Sequence, residues 1–203
     1  MLAIIDYGVG NLFSLCGALA HMGIENTVTS DPADLEKAER IILPGVGAFG
    51  DSINQFRAHG LQDTLDRQVR LGKPLLGICV GMQLLFEKSY EFGTHEGLGY
   101  LNGSIDSLSD DIPAHYKVPH IGWNSLQFCK PDDPLLKYLR AGEYVYYVHS
   151  FYAKGCESSV VAGSDYSVFV PGIVRAGNVC GTQFHPEKSG ETGQRLLKAF
   201  CEL

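Results

Sequence analysis

Leu75-Leu76-Gly77-Ile78-Cys79-Val80-Gly81-Met82-Gln83-Leu84-Leu85-Phe86-Glu87-Lys88 decides the reading of this chain. Leu75–Ile78 is apolar and reads as a buried strand, and Val80–Lys88 reads as the helix after it. At the turn between them a cysteine stands in the pattern glycine-x-cysteine-x-glycine. That pattern is a nucleophile elbow. Gly77 and Gly81 lack a Cβ, so the backbone can turn sharply and be approached closely around the cysteine. The helix N-terminus beyond the turn favours a thiolate. The amide of Val80 points to the space where an oxyanion would form. A buried cysteine in a glycine-rich turn has the same local sequence, so a base must be found elsewhere in the chain.

Outward from the elbow, the preceding residues alternate between short apolar runs and helical patterns. Strands are predicted at Leu2–Asp6, Ile24–Thr29 and Arg40–Leu43. Helices are predicted at Asn11–Met22, Ser52–His59 and Leu61–Leu71, with a short one opened by Asp31 as cap and Pro32 in its first turn. Leu12, Leu15, Leu19 and Met22 share one face of the first helix, and Gly23 stops it. Strand alternating with helix predicts an α/β fold with a mostly parallel sheet and helices on both faces. The second half reads differently. Gly97–Leu108, Val118–Leu126, Tyr144–Ala153, Ser159–Ala162, Val168–Ala176 and Val179–Phe184 are predicted strands, some paired antiparallel at one edge of the sheet. A final helix is predicted at Glu191–Glu202.

The base is supplied by Gly181-Thr182-Gln183-Phe184-His185-Pro186-Glu187. His185 follows an apolar strand, and parallel sheets place their sites at strand ends. Glu187 lies two residues on, with Pro186 fixing the backbone between, so its carboxylate can hold the imidazole in one tautomer. Cys79 as nucleophile, His185 as base and Glu187 as orienter are the expected catalytic residues. Pro44-Gly45-Val46-Gly47-Ala48-Phe49-Gly50 matches a glycine-rich dinucleotide fingerprint. It lies on the third strand rather than the first, and Pro44 intrudes, so that reading is rejected. Its better use is an oxyanion strand. An oxyanion hole needs two donors; Val80 supplies one, and the amide of Val46 or Gly47 is expected to supply the other.

Composition sets the outer limits. At 203 residues, 45% hydrophobic and 19% charged, the chain is expected to form one domain, residues 1–203, with a substantial core. The formal net charge is -7 with no basic stripe, so nucleic acid is not an expected partner. No apolar run is long enough to span a bilayer, so no membrane association is expected. The six cysteines are irregularly spaced with no C-x-x-C, and free thiols in a cytosolic protein are the expectation. The seven histidines are scattered, and neither a metal nor a cofactor is expected.

Gly77–Gln83 together with Gln183–Glu187 resembles the class I glutamine amidotransferases with a Cys-His-Glu triad. Ile5–Leu12, Leu43–Phe49, Val118–Asn124 and His149-Ser150-Phe151-Tyr152 are similar to glutaminase subunits of imidazole glycerol phosphate synthase. The resemblance runs from Ile4 to Lys188. It implies a flavodoxin-like central sheet with an antiparallel edge. It implies attack of Cys79 on the side-chain amide of L-glutamine, with a thioester intermediate and release of ammonia. Gln83 and the backbone of Gly47, Ser150 and Phe151 would hold the amino-acid end of the substrate. The ammonia would pass to a separate cyclase subunit, a (β/α)8 barrel, in a heterodimer. One departure is the stretch Glu91–Gly99 with Ser104-Ile105-Asp106, which is closer to a paralogous group that supplies ammonia for amidating a sugar in surface-polysaccharide synthesis. A cysteine peptidase of similar topology is the alternative of a different class.

Overall fold

The computed structural model describes residues 1–203. Its first half follows the alternation: β1 Leu2–Ile5, α1 Leu12–His21, β2 Asn26–Thr29, α2 Pro32–Lys37, β3 Arg40–Leu43, α3 Phe49–Ala58, α4 Gln62–Arg70 and β4 Leu75–Ile78. The elbow leads into α5 Val80–Leu84. The second half comprises β5 Phe86–Ser89, β6 His95–Glu96, β7 Leu101–Ser107, β8 His120–Ser125, β9 Gln127–Phe128, β10 Tyr144–His149, β11 Phe151–Lys154, β12 Val160–Asp165, β13 Phe169–Ala176, β14 Val179–Thr182 and α6 Gly190–Cys201.

Eight strands form the main sheet in the order β2-β1-β3-β4-β14-β13-β12-β9. The first five are parallel and the last three antiparallel. The flavodoxin-like order with an antiparallel edge is therefore what the chain adopts. Every residue of β1, β4 and β14 is buried, which is why these strands are unbroken short apolar runs rather than alternating ones. Parallel strands joined through helices are crossed over right-handedly as a rule, which distributes helices to both faces. α1 packs on α6, whereas α2 packs on α4 and α3 on α5. The Asp31 carboxylate accepts the Ala33 amide at 2.8 Å and caps α2.

Two sequence expectations are corrected. The helix predicted at Val80–Lys88 stops at Leu84, and Phe86–Ser89 is a strand. The carbonyls of Leu84, Leu85 and Phe86 are taken by the amides of Leu98, Tyr100 and Gly99, so they cannot continue a helical ladder. β5 then joins β6, β7 and β11 in a second sheet. The strand predicted at Tyr144–Ala153 is broken at Ser150. Tyr144–His149 pairs with β8, and Phe151–Lys154 pairs with β7. A third, smaller shift is the start of α3, at Phe49 rather than Ser52.

Glycines offer a direct check of this packing. Gly17 is exposed inside α1 with open space where a Cβ would stand. Gly17→Ala should therefore raise stability by roughly 0.5–1 kcal/mol. At Gly81 an added Cβ would stand 2.9 Å from the Leu43 carbonyl carbon and 3.0 Å from that of Pro44. Gly81→Ala should lower stability by about 1–3 kcal/mol, as other overpacked cores do. Denaturant midpoints of the two variants, moving in opposite directions, are the expected result.

Candidate active site

Three parallel strands deliver the site at their C-terminal ends. Cys79 follows β4 with φ +54° and ψ -111°, a backbone region that a residue with a Cβ holds only under strain. Its amide donates to the Thr182 carbonyl of β14 at 2.8 Å, which fixes the elbow to the neighbouring strand. The side chain is buried, with Sγ 4.0 Å from the Val148 carbonyl and 3.9 Å from Gln183 Nε2.

His185 follows β14 and is held by β10. Its amide donates to the Tyr146 carbonyl at 3.0 Å. Its carbonyl accepts from Ser189 Oγ at 2.6 Å, and that hydroxyl accepts the Tyr146 amide at 3.0 Å. The single turn Pro186–Lys188 carries Glu187 back beneath the imidazole, where Oε1 lies 2.8 Å from Nδ1. Both side chains are 3% exposed. The second carboxylate oxygen, Oε2, has no protein partner. Burial pulls the His185 pKa down, but hydrogen bonds to Cys79 and Glu187 and the charges of both outweigh it. The imidazole is pushed up to about 10. His185 thus stands between the Cys79 sulfur and the Glu187 carboxylate, paired with both.

In front of Cys79 lies a cavity of about 280 Å³, the size for a free amino acid rather than a nucleotide. Val46, Gly47, Cys79, Val80, Gln83, Ser150, Phe151 and His185, all expected from the sequence, line it together. Glu187 stands behind His185 and does not. The segment after β3 is anchored by Tyr7, whose hydroxyl donates to the Pro44 carbonyl at 2.7 Å. Gly47 has φ +90°, and the Val46 carbonyl accepts from Ser52 Oγ at 3.3 Å. The amides of Val46, Gly47 and Ser150 donate to no backbone or side-chain acceptor. They are donors that no protein group satisfies.

The cavity also holds acceptors. The Gln83 amide nitrogen donates to the Phe151 carbonyl and to Gln183 Oε1, both at 3.1 Å. Its own oxygen is left over. Glu91 accepts the Phe49 amide at 2.7 Å, and burial raises its pKa. Five residues the sequence did not assign thus belong to this site: Glu91, Pro119, Val148, His149 and Gln183. Gln183 stands inside the quoted His185 motif and was open to inference. Glu91 reaches the cavity only because α5 ends early and the β5–β6 turn folds back. No group of three or more His, Cys, Asp or Glu side chains is arranged to hold a metal ion.

The model of the family "Glutamine amidotransferase class-I" matches residues 3–203. The imidazole glycerol phosphate synthase subunit HisH of Shouchella clausii (strain KSM-K16) is 50% identical over 205 residues, covering 100% of this chain and 98% of that one. The subunit of the same name from Listeria monocytogenes serotype 4b (strain CLIP80459) is 45% identical, covering 100% and 96%. Among solved structures, a glutamine amidotransferase superposes with a TM-score of 0.76 at 21% identity over 98% of this chain and 97% of its own. PurLQS from Thermotoga maritima does so with a TM-score of 0.76 at 23% identity over 99% and 97%.

Proposed function

Since this chain belongs to the class-I glutamine amidotransferases, we propose that it is the glutaminase subunit of an imidazole glycerol phosphate synthase, with residues 1–203 as one catalytic unit. The observation that carries the chemistry is the triad Cys79–His185–Glu187 opening onto an amino-acid-sized cavity with donors and acceptors at separate places. The full-length similarity to the HisH subunits supports this choice of synthase, and with it a place in histidine biosynthesis.

The α-ammonium of L-glutamine is met by Gln83 Oε1 and the Glu91 carboxylate, the acceptors in the cavity. The α-carboxylate is met by the backbone of Gly47, Ser150 and Phe151. This leaves the side-chain amide before Cys79. The sulfur attacks Cδ, and the negative charge that moves to the amide oxygen is held by the Val80 amide and the Val46 or Gly47 amide. His185 gives its proton to the departing nitrogen, and ammonia leaves as the thioester forms. His185, held by Glu187, then takes a proton from water, which attacks the thioester and releases glutamate with the thiol restored.

The ammonia passes to a cyclase subunit, a (β/α)8 barrel, in a heterodimer. The six free cysteines fit the cytoplasm, and no helix is long and apolar enough to cross a membrane. The HisH names of relatives matching the whole chain weigh against the sugar-amidating and peptidase alternatives. The reading is tested by measuring glutamate release from the chain alone, with the cyclase subunit, and with cyclase subunit plus its nucleotide acceptor. Glycine on both sides of Val46 lets that peptide turn, so the second oxyanion donor can be completed on docking. One donor is worth about 10²–10³ in rate, and stimulation of that order is expected. Equal rates in all three assays, or faster cleavage of peptides than of glutamine, would overturn the proposal.

A further inference from the structure

Two buried histidines meet at the back of the site, His149 lining the cavity and His120 behind it, and neither hydrogen-bonds Cys79, His185 or Glu187. His120 on β8 and His149 on β10 are direct cross-strand partners, 3% and 6% exposed. His149 Nδ1 is 3.0 Å from the Phe151 carbonyl oxygen, and His149 Nε2 is 2.9 Å from His120 Nδ1. A carbonyl can only accept, so His149 carries its proton on Nδ1. Its Nε2 must then accept, which places the His120 proton on Nδ1 as well. His120 Nε2 is left an acceptor, 3.5 Å from the Asn124 amide nitrogen. A second proton on either ring would set donor against donor.

The surroundings hold this arrangement. Burial lowers the His120 pKa to about 4. It lowers that of His149 to about 3, with the charges of His120 and His185 acting the same way and the Phe151 hydrogen bond opposing. Both rings are therefore neutral at physiological pH. The His120 ring is stacked against Tyr147 and Tyr166, with centroids 4.8 Å and 3.9 Å away.

The end of the chain of hydrogen bonds matters most. At Ser150 the backbone leaves its pairing with β8 and begins its pairing with β7. Ser150 and Phe151 line the cavity, and the Ser150 amide donates to no protein acceptor. The Phe151 carbonyl is gripped there from two sides, by His149 Nδ1 and by Gln83 Nε2. We propose that His120 and His149 form a positioning relay that fixes the Ser150–Phe151 backbone in the pose that receives the α-carboxylate of glutamine. They set affinity for the amino-acid end of the substrate without acting on the reacting amide. The inference rests on the glutamine reading of the cavity.

The test compares His120→Phe with His120→Asn in the cyclase-stimulated enzyme. Phenylalanine keeps the stack but leaves His149 Nε2 without a donor. Asparagine places an amide nitrogen close to where Nδ1 stood. His120→Phe should raise KM for glutamine about tenfold, the loss that an unpaired buried acceptor brings. Its kcat should change far less, and alkylation of Cys79 by iodoacetamide, which carries no amino-acid end, should keep its rate. His120→Asn should recover most of the KM loss. An unchanged KM in His120→Phe, a loss confined to kcat, or no recovery in His120→Asn would overturn the relay. Nitrogen-15 NMR of the wild-type imidazoles gives a second answer that needs no variant to fold. Both rings should show the proton on Nδ1, and Nε2 protonation of either would refute the proposal. Absence of glutamine turnover in the stimulated wild type would instead overturn the site reading beneath it.

Discussion

Cys79→Ala is expected to abolish glutamate release while the folded chain persists. The substitution removes only the sulfur. Alanine carries the same Cβ at the strained φ of +54°, so the elbow's conformational cost is unchanged. The sulfur's contacts with Val148 and Gln183 lie at 4.0 Å and 3.9 Å, too long to hold much. Stability should therefore move by less than about 1 kcal/mol. The rate should fall by about 10⁶, as when a nucleophile is lost from a comparable triad. No other thiol can substitute. None of the other five lines the cavity, and burial raises the pKa of each, to about 12 for Cys180 and about 11 for Cys156 and Cys201. Glutamate release that survived in Cys79→Ala would count decisively against the mechanism.

His185→Asn should cost on the order of 10²–10⁴ in kcat/KM, and Glu187→Gln should cost less. Glutamine can still present an oxygen to Nδ1, because Glu187 orients the ring and transfers nothing. The reverse order would require the two roles to be exchanged. The same pair predicts a pH signature in stability. Despite burial, the hydrogen bonds and charges of Cys79 and Glu187 raise the folded-state pKa of His185 from 6.5 to about 10. A raised pKa means that the folded state binds the proton more tightly than the unfolded chain. The stabilisation is fully present below about pH 6.5 and is lost as pH rises through about 10. Denaturant midpoints of the wild type should therefore fall across that window more steeply than those of His185→Asn.

The parallel half of the fold was legible because burial on both faces writes strands as plain apolar runs. Arg40–Leu43 and Leu75–Ile78 are read from sequence with the bounds they have in the structure. Phe86–Ser89 was not, because its apolar spacing continues that of α5. What ends the helix is the capture of three carbonyls by residues Leu98–Tyr100, which sequence spacing does not encode. The Tyr144–Ala153 pattern likewise hides its break, since only the change of partner from β8 to β7 marks Ser150.

The site divides along the same line. Cys79, His185 and Glu187 lie in short motifs whose geometry is local, so residue type and spacing suffice to find them. Glu91, His149 and Gln183 contribute through contacts between segments distant in sequence. His149 stands in the His149–Tyr152 motif, yet its partner His120 lies 29 residues away and meets it only across the β8–β10 pair.

The most direct test of the central claim is covalent capture. The chain, with its cyclase subunit, is treated with an electrophilic analogue that retains the α-amino and α-carboxyl groups of glutamine, and the modified peptide is identified by mass spectrometry. The expected result is a single label on Cys79, formed with saturation kinetics, prevented by excess glutamine and matched by loss of glutamate release. Inactivation with the label on another residue, or labelling that persists in Cys79→Ala, would contradict the account.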